Sequence, residues 1–62
     1  MYKLITFLED VNPLLEDTLL KLDQRVKEFF DGCNVEEMAI NNIYIPQECP
    51  TAILRYITYK LK

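Results

Sequence analysis

One amphipathic segment set between apolar, strand-like runs constrains this chain more than any other feature. Asn12-Pro13 opens it and Gly32 closes it. Asn is a favoured N-cap, Pro suits the first helical position because an N–H there has no helical partner, and Gly takes the left-handed conformation that ends helices. Between these signals Leu15, Leu19, Leu22, Val26 and Phe29 recur at steps of four and three, the period of a helix face. The spacing predicts a helix over residues 13–31, roughly 28 Å long. Leu15, Leu19, Leu22, Val26, Phe29 and Phe30 fall within about 100° of arc, with Asp17, Gln24, Glu28 and Asp31 opposite. Asp17–Lys21 and Asp23–Lys27 have the i,i+4 spacing of supporting ion pairs. The apolar repeat covers barely two heptads, too few for a coiled coil, so the stripe is expected to pack on a sheet.

Three segments supply that sheet. Residues 2–8 are aromatic and β-branched and run into the turn-prone Glu9-Asp10-Val11-Asn12. Residues 35–45 form a second strand in which Met38 and Ile40 occupy one phase and Ile43 and Ile45 the other. A β-bulge at Asn41-Asn42 would restore one continuous apolar face. The loop 46–50 contains two prolines that cannot join a ladder. Residues 51–61 form the most β-prone segment, interrupted only by Arg55 and Lys60. The fold class is therefore α+β: a single β-α-β-β domain over residues 1–62, with a mostly antiparallel three-stranded sheet and one helix on one face. The order 1-3-2 is preferred because it places the most apolar strand in the centre.

Sixty-two residues give one small core, which rarely supplies more than about 3–5 kcal/mol. Two cysteines, Cys33 and Cys49, are expected to be free thiols, and without histidine no common zinc ligand set is complete. Extra stability is expected from self-association. All three strands carry apolar residues on both faces while one helix covers only one, and a large uncovered patch marks an interface. Tyr44, Tyr56 and Tyr59 are the expected dimer contacts, because tyrosine brings area and a hydroxyl at low entropic cost.

The chain contains no His, Ser or Trp and a single glycine. A hydroxyl nucleophile with a histidine base and a glycine-rich phosphate loop are both excluded. The acidic pairs Glu9-Asp10, Glu16-Asp17 and Glu36-Glu37 point in diverging directions, so no catalytic residue, metal or cofactor is expected. A net charge of −3 argues against direct nucleic-acid binding, which uses a basic surface. No apolar run is long enough to span a membrane. The first eight residues lack the features of a signal peptide, so a cytoplasmic location in a bacterial cell is expected. Leu20 projects among Glu16, Gln24, Lys27 and Asp31, as an apolar anchor inside a polar rim. Leu20 with Asp17, Glu28 and Asp31 is thus the candidate surface for a protein partner.

Phe7-Leu8-Glu9-Asp10, Leu15-Glu16-Asp17 and Tyr59-Lys60, in that order along the chain, resemble a family of very small sporulation-associated proteins of spore-forming bacteria and their phages. The chain departs from that pattern in its Asn41-Asn42 strand and its loop 46–50. The resemblance implies no catalytic site. By class, the chain also resembles short phage proteins that inhibit bacterial defence systems: acidic, single-domain and often dimeric. The expected function is a non-enzymatic interaction module, a small acidic homodimer inhibiting a larger bacterial protein. The alternatives are a small structural or regulatory protein of sporulation, and a ligand-binding module using the groove between dimer halves.

Overall fold

A computed structural model describes residues 1–62. The elements are β1 (Lys3–Asp10), α1 (Leu15–Phe29), β2 (Val35–Ile45) and β3 (Ala52–Leu61). β3 lies between β1 and β2 and is antiparallel to both, giving the order β1-β3-β2. The helix carries the chain from one sheet edge to the other. β3 is central because it is apolar in both phases: Ile53, Ile57 and Tyr59 on one face, Leu54 and Tyr56 on the other. No helix is long and apolar enough to cross a membrane.

The core contains Phe7, Leu22, Val26, Ile53, Ile57 and Tyr59, with Ile5, Val11, Leu19, Phe30 and Tyr44 packed against it. No residue of β2 is fully buried. The helix sits over β1 and β3, and β2 projects beyond its cover. Aromatic rings close the end of this layer: Phe30 meets Tyr59 edge-on at 4.9 Å, and Phe29 meets Phe7 at 6.0 Å, the T-shaped geometry that ring quadrupoles favour.

Four sequence expectations are corrected. First, the helix begins at Leu15 rather than residue 13, and Asn12 does not cap it. The buried hydroxyl of Thr18 organises the entry instead, donating to the Leu14 carbonyl at 3.1 Å and accepting the Asn12 N–H at 3.4 Å. The helix also ends earlier, at Phe29, and Gly32 follows in the left-handed conformation at φ +78°. Second, the apolar stripe is rotated. Thr18, Leu22 and Val26 are buried whereas Leu15 and Phe29 stay exposed. Third, Lys21 and Asp23 ignore their helical neighbours and reach sheet residues, Glu9 and Arg55. Both sheet partners are less exposed, so the attraction is less screened there than between two groups in water.

Fourth, β2 has no bulge at Asn41-Asn42. Ile40, Asn41, Asn42 and Ile43 pair in regular register with Ile57, Tyr56, Arg55 and Leu54, and the single irregularity lies between Val35 and Glu37. The apolar residues of β2 therefore stay split, Met38 and Ile40 on the helix side and Ile43 and Ile45 on the open side. The polar Asn42 is kept on the helix side because it serves Arg55.

Ile57→Ala removes the centre of the only core. It is expected to cost about 2–5 kcal/mol, comparable with all that a core of this size supplies, so urea melts should find the variant largely unfolded at 25 °C. Leu4→Ala, on the uncovered face, should shift stability by no more than about 0.5 kcal/mol.

Candidate interaction surfaces

Two polar clusters fix the helix on the sheet and so define what remains free. Arg55 lies in the buried phase of β3 and is only 6% exposed. Its Nε donates to Asn42 Oδ1 at 2.9 Å and its Nη1 to Asp23 Oδ1. An ionised group at that depth needs such partners, and no buried side-chain N or O atom lacks one. At the β1 edge, Glu9 meets Arg25 at 2.6 Å and Lys21 at 3.3 Å. Arg25 also donates to the Leu8 carbonyl at 3.1 Å and lies over the Phe7 ring at 5.1 Å, a cation–π arrangement. Burial alone raises the Glu9 carboxyl, but hydrogen bonds and charge from Lys21 and Arg25 outweigh it and hold the group below the ordinary carboxylate range.

The open face of the sheet is apolar at its centre. The registers Leu8↔Leu54 and Leu54↔Ile43 align three aliphatic side chains in one row across β1, β3 and β2. Leu8 is 57% exposed and Ile43 45%, with Ile45 exposed beside Ile43 and Leu4 exposed farther along β1, opposite Thr58. At one end of this face the Tyr2 phenol donates to the Glu37 carboxylate. That bond, with the nearby negative charge, raises the Tyr2 pKa.

The outer face of α1 is a polar stripe. Asp17, Leu20, Glu28 and Asp31 are all exposed, Leu20 at 65%. Gln24 Nε2 donates to Glu28 Oε1 at 3.0 Å within it. Asp17, Leu20 and Glu28 lie on the face of α1 away from the buried Thr18, Leu22 and Val26, and Asp31 follows the last helical turn.

The three tyrosines expected at one interface lie in three different places. Tyr59 is a core residue under the helix, Tyr44 is half-buried on the helix side of β2, and Tyr56 lies on the open face. Alternation along antiparallel strands separates Tyr44 from Tyr56. The aliphatic row, not the tyrosines, forms the contiguous patch. Sequence reasoning also missed Arg55 as a buried group. The available signal was its place in phase with Ile53, Ile57 and Tyr59, with Asn42 at the phase change of the neighbouring strand.

Cys33 and Cys49 are free and exposed, and no three acidic or cysteine side chains gather as a metal site. Residues Asn42, Ile43, Tyr44 and Gln47 line a small open depression beside β2. No protein-family model, curated protein or solved structure matches the chain.

A depressed carboxyl pKa contributes stability that is present above the unfolded value, about 4.3, and is lost as pH falls through the folded value. Glu9→Gln should therefore lower the melting temperature at pH 7, with the difference from wild type vanishing as both are acidified. A difference that stays constant down to pH 2 would show that Glu9 acts through packing rather than charge.

Proposed function

We propose that the chain is a non-enzymatic protein-interaction module that works as a small acidic homodimer and binds a larger bacterial protein through its open sheet face. In its sharpest form it is a phage-encoded inhibitor of a host defence protein acting in the host cytoplasm. The observation that carries this reading is the uncovered row Leu8–Leu54–Ile43. A contiguous apolar patch with a polar rim is costly to leave in water and usually marks a contact surface. The sequence adds that the usual nucleophile and base residues are largely missing, with no His and no Ser.

A net charge of −3 sets the character of the partner: an apolar patch inside a basic rim, with charge favouring encounter and the aliphatic row holding the complex. The α1 stripe around Leu20 is the second candidate contact, supported by an exposed leucine among carboxylates. A lone exposed leucine is ordinary on any surface, whereas three aligned across strands are not, so the sheet is favoured. A sporulation protein would use the same surface on a different target.

Tagged wild type, Leu8→Glu and Leu20→Glu can be used to capture proteins from host lysate, followed by titration of the purified captured protein. Affinity should fall on the order of tenfold or more for Leu8→Glu, an apolar contact of about 1.5–3 kcal/mol, and stay nearly unchanged for Leu20→Glu. The reverse result would move the contact to the helix. A captured protein of spore formation rather than defence would select the sporulation setting.

A further inference from the structure

The two sheet edges are treated differently. At β1 the helix reaches over the edge: Arg25 donates to the outward-facing carbonyl of Leu8, and Glu9 with Lys21 places charge beside it. These are ordinary means of blocking strand addition. β2 has none of them. Residues 38–45 contain no charged side chain, no proline and no bulge, and α1 does not cover the strand.

Hydrogen-bond alternation shows which groups that edge presents. The Val11 N–H donates to the Thr51 carbonyl, so odd-numbered residues of β3 turn their backbone toward β1, and even-numbered ones turn toward β2. Their partners Ala39, Asn41, Ile43 and Ile45 face back, and just beyond the far end of β3 the even-numbered Lys62 donates its N–H to the Asn34 carbonyl on the β2 side. Met38, Ile40, Asn42 and Tyr44 consequently point their N–H and C=O groups away from the sheet. These four residues are symmetric about Asn41.

We infer that β2 pairs antiparallel with β2 of a second copy, on a two-fold axis passing through Asn41 and normal to the sheet. This deepens the dimeric reading and rests on it. Met38 then pairs with the partner's Tyr44, and Ile40 with the partner's Asn42, in about eight backbone hydrogen bonds. On the open face Ile43 meets the partner's Ala39. Glu37 falls opposite the partner's Ile45, so no two like charges meet. The product is a six-stranded sheet of ordinary size, with both helices on the same side. Met38 and Ile40, half-exposed in one copy, gain cover. An isologous pairing of this kind closes on itself, and the blocked β1 edges stop further addition.

The test uses the full chain with Cys33→Ala and Cys49→Ala. Asn41→Cys should form an intermolecular disulfide under mild oxidation, since facing residues in a non-hydrogen-bonded pair lie about 4.5 Å apart at Cα. Ala39→Cys alone should not, but a mixture of Ala39→Cys and Ile43→Cys chains should crosslink to each other. In parallel, wild type should sediment at twice its 7.4 kDa chain mass. Ile40→Pro removes an outward N–H and leaves the β3 ladder intact, so it should weaken the dimer on the order of tenfold to a hundredfold with its far-UV spectrum retained. If that variant unfolds, the crosslinking pattern decides. A chain that stays at 7.4 kDa at millimolar concentration overturns both this inference and the dimeric reading. A dimer whose Asn41→Cys form does not crosslink overturns the β2 edge alone.

Discussion

Arg55 places a guanidinium in the layer between α1 and the sheet, where an ionised group is tolerated only with hydrogen-bonding partners beside it. Asp23 supplies one from the helix and Asn42 the other from β2. Two placements follow. The helix is held over β3 rather than sliding toward either edge. β2 is held in one register, because a slip of one residue would set Asn41 or Ile43 beside Arg55 and turn every side chain of the strand to the opposite face. The split of β2, with Met38 and Ile40 on one side and Ile43 and Ile45 on the other, is the consequence of keeping Asn42 where Arg55 needs it.

That register governs the surfaces. Fifteen helical residues cover two strands, and the third is left with apolar side chains half-exposed on both faces and an unpaired edge. The aliphatic row on the open face exists only because Ile43 lies in line with Leu54 and Leu8. The molecule is therefore thinly stabilised for its size and well supplied with surface that favours company. The β2 edge and the open sheet face are physically separate surfaces. The inferred edge pairing would use the backbone of Met38, Ile40, Asn42 and Tyr44 and leave the aliphatic row of each copy free, with Ile43 facing the partner's Ala39 rather than its Ile43.

The element order, the limits Val35–Ile45 of β2 and the central position of β3 could be read from the sequence, because apolar periodicity and turn residues are local signals. What escaped was set by contacts distant along the chain. Asn12-Pro13 satisfies the rules for a helix start, yet the entry is organised by the Thr18 hydroxyl, six residues from Asn12. Asn41-Asn42 looked like a bulge because two polar residues interrupt an apolar strand. Asn42 instead answers an arginine thirteen residues later. The i,i+4 pairs on α1 were plausible for an isolated helix and lost to Glu9 and Arg55 on the sheet. Tyr59 looked available for an interface until the ring cluster with Phe29 and Phe30 absorbed it.

Amide hydrogen exchange along β2, followed by NMR at several protein concentrations, tests the register and its consequence together. The N–H groups of Ala39, Asn41, Ile43 and Ile45 are bonded to β3 and should be protected at every concentration. Those of Met38, Ile40, Asn42 and Tyr44 should be protected in concentrated solution and exchange freely on dilution, as the second copy leaves. Fast exchange of the second set at all concentrations, or protection assigned to the opposite set, would contradict the β2 edge as described.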